Sequence, residues 1–342
     1  MSFKYRLEAS TPQRFEGGTL RTVTRKNIPS LKDMSIYTVS IDPGGLRELH
    51  WHPNAGELAY CLDGQGTFGI LSPVGDNATF QIGAGSVTFV PNGYAHYIQN
   101  TGSGTLRMVI AFSHEEPEHI NLSETLDYVP REFLAETFGV PPTDFPELQY
   151  RGDIFLAKMA ETTGDGSAET LDSHGTKPYT VNLEQVEPKV FEGGTVNELG
   201  IEQIPHLKDI TLYLLNGQPR ALREPHWHPN TAELNYCVRG TARIGVVAPN
   251  GGRETFDIVP GDVAFIPRNY FHYIASTSDE PLYFLVFFGG EIDVPHIDLS
   301  QTFDYFPREV IAASFGLEKQ AFDELPKRGD IFMAAKRAFP DA

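Results

Sequence analysis

The sequence predicts an all-β protein built as two tandem sandwiches or barrels. Three observations carry that prediction. The first is an internal duplication. FEGGT at Phe15–Thr19 returns at Phe191–Thr195, and IPSLKD at Ile28–Asp33 returns as IPHLKD at Ile204–Asp209. RELHWHPNAGELAYC at Arg47–Cys61 returns as REPHWHPNTAELNYC at Arg223–Cys237, and each of these shifts is 176 residues. The second is a series of short β-branched and aromatic runs separated by turn residues. The third is composition: 32 Gly and 25 Pro in 342 residues favour many turns over a helical bundle.

Within copy one the expected strands are Ser35–Ile41, Ala59–Leu62, Gly66–Leu71, Ala78–Ile82, Ser86–Val90, His96–Gln99 and Leu106–Phe112. Gly, Pro, Asn and Asp punctuate them. A helical tail follows. Pro130 suits a first helical position, REFLAETF carries the helix and Gly139 suits its C-terminal cap. Thr125–Gly139 recurs at Thr302–Gly316 and RGDIF at Arg151 recurs at Arg328, now shifted by 177, so one residue is inserted before these blocks. Copies this long are domains and not solenoid units. The expected division is 1–159 and 177–342, joined by 160–176, a polar stretch without periodicity that reads as a linker.

The chain carries 27 Lys and Arg against 45 Asp and Glu, a formal charge of −18. Such an excess repels phosphates, so nucleic acid is excluded as a partner. Two cysteines make no disulfide framework and fit a reducing compartment. The opening MSFKYRLEAS has no apolar run after a basic start, and no stretch reaches the roughly 18 apolar residues of a membrane helix. The expectation is a cytoplasmic protein without membrane association.

The chemistry concentrates in HWHPNAGE. His50 and His52 are two apart and share a face of an extended segment. Glu57 starts the next strand after a turn, and His96 lies on a later one. Three imidazoles and a carboxylate can then converge inside a barrel. Copy two supplies His226, His228, Glu233 and His272, all shifted by 176. One such pair of histidines could be a buried hydrogen-bonded couple, but four ligand-type residues repeated in register point to metal. Mixed nitrogen and oxygen donors without thiolate suit Mn²⁺ or Fe²⁺, and Zn²⁺, which prefers four-coordination, remains an alternative.

These residues resemble the two motifs of the cupin family. Gly44, His50, His52, Glu57 and Gly64 match the first, and Gly85, Pro91, Gly93, His96 and Asn100 match the second. Copy two departs at Arg220, Asn269 and Ser276, where Gly, Gly and Asn are usual, which predicts altered loops there. The chain is identified as a bicupin. The resemblance implies two jelly-roll (double-stranded β-helix) barrels, each followed by a short helical segment. RELHWH is similar to the bicupin oxalate decarboxylases, a group related to the germin-like oxalate oxidases. In that group an Arg three residues before the first His binds substrate, and the role carries over to Arg47 and Arg223. The duplicated ligand sets imply two Mn²⁺ per chain; the resemblance implies a small dicarboxylate substrate, joined by dioxygen in the oxidase alternative, and a homotrimer or homohexamer.

Two difficulties accompany it. Arg47 and His50 differ by an odd number, so strict alternation separates them, and a bulge near Glu48 would re-aim the arginine. The Ser-Glu-Asn-Ser lid of the decarboxylases is missing. Ser113–His119, SHEEPEH, stands in its place, and Glu115 or Glu116 is the candidate proton relay; Glu291 in copy two is the fallback. Oxalate oxidation to CO₂ and H₂O₂, or dioxygenase chemistry on another small acid, is the alternative. A non-catalytic storage or ligand-binding bicupin is a further one. Asn235 replaces Ala59 on the ligand-bearing face, where its amide meets either the second metal or core backbone.

Overall fold

The computed structural model describes residues 2–148, 156–158, 178–325 and 329–334. The linker expected at 160–176 lies outside the described residues, as does the first RGDIF block.

Each copy forms two antiparallel sheets with a hydrophobic core between them, a jelly-roll sandwich closed on itself. In copy one the seven-stranded sheet runs Thr180–Asn182, Ser86–Val90, Glu57–Asp63, Leu106–Phe112, Ser35–Ile41, Gly18–Val23 and Gln13–Phe15. The six-stranded sheet runs Ile120–Asn121, Gly45–Trp51, Ala95–Asn100, Gln65–Leu71 and Ala78–Gly83, with Leu156–Lys158 also paired to Gly45–Trp51. Copy two repeats both sheets. Expected strands Ser35–Ile41, Ser86–Val90 and Leu106–Phe112 have those bounds, and the others extend further at one or both ends. The helices are Leu122–Tyr128 and Arg131–Phe138, with Gly139 closing the second at a left-handed φ of 67°. Pro130 sits one position earlier than expected, at the N-cap, and Pro307 does the same.

The strand Glu57–Asp63 shows why the barrels adhere. Its first five residues are all buried. Glu57, Ala59 and Cys61 face their own barrel, whereas Leu58 and Tyr60 join a second core shared with Leu234, Tyr236, Leu285 and Phe287 of copy two. A strand buried on both faces loses the polar alternation of a half-exposed one. At the edge of this interface the phenols of Tyr60 and Tyr283 both donate to Glu184, at 2.8 and 2.9 Å.

The copies also exchange arms. Lys4–Tyr5 pairs with Val263–Ile266 of copy two, and Thr180–Asn182 pairs with Ser86–Val90 of copy one. Phe3 is 2% exposed and belongs to the core of copy two, and Tyr179 is buried in that of copy one. Each arm covers a sheet edge that would otherwise be free to pair with another chain.

The loops of copy two are not altered at Arg220 and Asn269. Arg220 (φ 62°) and Asn269 (φ 67°) keep the left-handed backbone of Gly44 (φ 74°) and Gly93 (φ 79°). Asn269 N–H still reaches the His228 carbonyl as Gly93 N–H reaches that of His52, both at 3.0 Å. Asn tolerates this region better than most side chains, and for Arg it costs about 1 kcal/mol.

The exchange makes a specific demand. Phe3→Ala removes a ring from the core of copy two and should destabilise the protein by about 3–5 kcal/mol. Chemical denaturation checks this, and metal retention at His226, His228, Glu233 and His272 should suffer more than at the first set. Unchanged unfolding would mean that each copy is stable without its neighbour's arm.

Candidate metal centres

The predicted bulge exists. Along Gly45–Trp51 and Ala95–Asn100, His50 faces His96 while Arg47 faces Ile98, so three steps on one strand match two on the other. The extra residue turns Arg47 to the side of His50. Arg47 and His50 are 2% and 1% exposed, and both line one cavity. Copy two has the same irregularity between Arg223 and His226.

One donor atom from each of His50, His52, Glu57 and His96 lies within 4.8 Å of the others, and His226, His228, Glu233 and His272 form the equivalent cluster. All eight are buried. The sequence arrangement thus brings together every residue it named for metal.

The imidazoles are aimed by backbone carbonyls. Nδ1 of His50, His52 and His96 lies 2.7, 2.7 and 2.9 Å from the carbonyls of Glu48, Glu118 and Tyr94. His226, His228 and His272 use Glu224, Pro295 and Tyr270 at 2.7, 3.2 and 2.9 Å. A carbonyl only accepts, so each Nδ1 carries the proton and each Nε2 turns a lone pair inward.

The inward atoms are acceptors crowded on acceptors. Glu57 Oε2 is 3.0 Å from His52 Nε2 and 3.3 Å from His96 Nε2. In copy two His226 Nε2 lies 3.2 Å from His228 Nε2. Burial, with Arg47 beside it, holds His50 well below its ordinary pKa, and burial lowers His52 despite the opposing pull of Glu57. Burial also opposes ionisation of Glu57, but the facing His96 and His52 outweigh it and keep the carboxyl below its usual range. Burial and Arg223 act on His226 as burial and Arg47 act on His50, and Glu233 is held low by His272 and His228 against burial. Imidazole nitrogens and a carboxylate oxygen converging at this spacing fit a divalent cation, which takes their lone pairs and balances the carboxylate charge.

The surroundings of the two sets differ. Glu57 Oε1 is buried without a hydrogen-bond partner among the described residues, whereas Glu233 Oε1 accepts from the Asn235 amide at 2.7 Å. The Asn235 amide, expected at the second metal or at core backbone, donates instead to the carboxylate of Glu233, a residue of the second set. Arg47 donates to Asn121 Oδ1 at 2.8 Å, and Arg223 donates to the Asp298 carboxylate at 2.7 Å. The first cavity is about 10 Å³ and lined by Tyr37, Val39, Ile98, Ile110 and Phe112 around the polar set. The second is about 70 Å³.

The loop acids lie further out. Glu115 is held by Arg25 at 3.3 Å and by the Asp33 N–H at 3.1 Å, contacts that direct it away from the cavity. Glu116 is exposed, and its charge, after burial and against Arg47, contributes to pushing the Tyr37 phenol up to about 12. Glu291 is exposed and accepts from Asn230 at 2.8 Å. Tyr37, Asn121, Asp298 and His296 were not singled out from sequence. Their signal is the repeat register: Tyr37 and Tyr213 recur in step, and Asn121 against Asp298 is a charge difference at one repeated position.

Metal analysis tests the clusters. The chain should hold close to two divalent ions, and His52→Ala should reduce this to about one, because three ligands bind far more weakly than four. Loss of both ions from that variant would show that the sites are not independent.

Comparison with known proteins agrees with this geometry. The cupin family model matches residues 7–144 and again 181–322. The oxalate decarboxylase OxdC of Bacillus subtilis is 32% identical over 324 residues, covering 93% of this chain and 83% of that protein. A probable oxalate decarboxylase of Arthroderma benhamiae is 28% identical over 339 residues, covering 95% and 81%. The solved structure of the Bacillus subtilis oxalate decarboxylase at pH 4.6 superposes with a TM-score of 0.85 at 28% identity, covering 98% of this chain and 88% of that one. With both halves matched and both ligand sets in place, the chain belongs to the cupin family and is a bicupin.

Proposed function

We propose that this bicupin is a Mn²⁺-dependent oxalate decarboxylase, a carboxy-lyase that converts the oxalate dianion, with uptake of one proton, to formate and CO₂. The observation that carries the reading is Arg47 turned by the bulge into the same small buried cavity as His50, His52 and Glu57. The likeness to oxalate decarboxylases over more than nine-tenths of the chain supports it, as do the Mn(II) centres named for the Bacillus subtilis enzyme. Each His₃Glu set holds one Mn²⁺, two per chain. Bound there, the ion supplies Lewis acidity toward a carboxylate and a one-electron couple.

The chain's own residues supply the rest. The Arg47 guanidinium matches the planar oxygens of the substrate's free carboxylate and offsets its charge. Val39, Ile98, Ile110 and Phe112 exclude water and limit the substrate to a small acid. Formate production requires a proton at the carbon that loses CO₂. Glu116 is the preferred source, because Glu115 is engaged by Arg25 and Asp33 while Glu116 is exposed and in no salt bridge among the described residues. Oxidation of oxalate by dioxygen to CO₂ and H₂O₂ is the second reading. It is favoured by the cavity lining, which among the described residues includes no carboxylate besides Glu57.

The division into 1–159 and 177–342 is retained within this proposal, with the arms crossing between the units. No described helix is long and apolar enough to cross a membrane, and a cytoplasmic location is proposed. A homotrimer or homohexamer is also proposed, supported by exposed Tyr128, Phe133, Tyr305 and Phe315 on the helical segments.

Arg47→Lys keeps the charge but loses the two-pronged contact. It should lower oxalate kcat/KM by about 10²-fold or more with metal content unchanged, measured by formate release. Arg223→Lys reports on turnover at the second centre. Wild-type kinetics in both would make the arginines structural and remove the oxalate assignment.

Glu116→Gln should lower formate output by about 10²–10⁴-fold and raise H₂O₂, while Glu115→Gln should act weakly. Formate, peroxide and oxygen are measured together. Wild-type formate from both variants would place the acid elsewhere, and peroxide as the only wild-type product would establish the oxidase.

A further inference from the structure

The two centres repeat their ligands but not their charge. Behind Arg223 stands Asp298, 5% exposed, with Oδ1 at 2.7 Å from the guanidinium. The same guanidinium nitrogen also donates to the Ile331 carbonyl at 3.2 Å. The equivalent position in copy one is Asn121, a neutral amide. The other oxygen of Asp298 lies 3.3 Å from Nε2 of His296, which lines the second cavity. Burial and Arg223 lower that imidazole's pKa, and Asp298 opposes them. Glu198 at the cavity wall is balanced by Lys189 at 2.7 Å.

The second centre, with a divalent ion, Glu233, Arg223 and Asp298, therefore carries one positive charge fewer than the same count over the ion, Glu57 and Arg47. A dianion would leave it net negative, whereas a monoanion would leave it neutral. Its cavity is about 70 Å³ against about 10 Å³, with Val286 where the first has Ile110 and with Val294 and Leu215 on the wall. The apolar wall is common to both cavities, Leu215 standing where the first has Val39, so the differences are the volume and the charge, and the larger space admits an ionised ligand with a short apolar body.

We infer that the second centre is a binding site for small monocarboxylates with an apolar tail, and that Asp298 is the residue that excludes oxalate from it. The inference rests on the proposed reading only in that both His₃Glu sets hold metal. Asp298 acts through Arg223: it neutralises the guanidinium and places a like charge behind the position where a second carboxylate would lie. Asn at this position is compatible with the fold, because Asn121 already precedes the helix Leu122–Tyr128 as Asp298 precedes Leu299–Tyr305.

The test uses the full chain loaded with Cd²⁺, an ion without redox chemistry that accepts six donors, so that beside the four protein ligands oxalate is bound and not consumed. Metal content is established first, then oxalate and propionate are titrated calorimetrically. The wild type should take up one oxalate and, at the same time, one propionate. Asp298→Asn should take up two oxalates, with affinity at the second centre raised about tenfold or more. Asn121→Asp should weaken oxalate binding at the first centre by a similar factor. Two equivalent oxalates in the wild type, an unchanged stoichiometry in Asp298→Asn, or a second set that takes no metal would each overturn the inference. No oxalate bound by the wild type, with one gained by Asp298→Asn, would overturn the oxalate reading of the first centre and support the inference.

Discussion

The hydrogen bond from imidazole Nδ1 to a backbone carbonyl is the constraint on which both centres depend. It fixes the tautomer, orients the ring and leaves Nε2 as the inward donor in all six histidines. For four of them the carbonyl lies two residues upstream in the same strand or turn, so the strand that carries the ligand also aims it. His52 and His228 are different. Their carbonyls belong to Glu118 and Pro295, on the loops that follow each barrel. A loop over the cavity is thereby tied by its backbone to a ligand beneath it, and movement of the loop would disturb the ring orientation.

The barrel tolerates this concentration of polar groups because it encloses them. Buried imidazoles and a buried carboxylate are costly without partners, and here backbone carbonyls hold the outer ring nitrogens while the inward atoms converge where a cation would sit. The bulge between 47 and 50 belongs to the same economy of geometry: it opens the Glu48 carbonyl to His50 and turns Arg47 inward. Outside the sets the copies have diverged. Asn235 engages a ligand oxygen that its counterpart Ala59 leaves free, and Asp298 neutralises an arginine whose counterpart meets an amide. Duplication conserved the coordination and varied what surrounds it.

The two barrels are not beads on a string. The faces of Glu57–Asp63 and Ala232–Arg239 that turn away from the metals form a common core, and the arms exchange at equivalent edges. The strand that presents Glu57 to its metal thus carries Leu58 and Tyr60 into the partner barrel. Ligand placement and barrel association are coupled through one rigid strand.

The sequence by itself determined the duplication, the all-β class and the eight ligands. Strand spacing, turn residues and HxH with a following Glu are local patterns, and repetition in register separates them from chance. It also located the bulge, since an arginine expected on the same face as a ligand histidine at odd separation requires one. Tertiary structure alone decided the rest. The arm exchange joins residues far apart in the chain, and no local period signals which barrel an edge strand will complete. The burial of both faces of Glu57–Asp63 becomes interpretable only when the second barrel is in place. Glu115 and Glu116 are adjacent and chemically alike, and only folding showed that one is engaged by Arg25 and the Asp33 N–H while the other is exposed. Asp298 acquired its meaning in the same way: a side chain on a loop becomes an electrostatic partner only when a distant arginine is brought within hydrogen-bonding distance, and charge acts through space and not along the sequence.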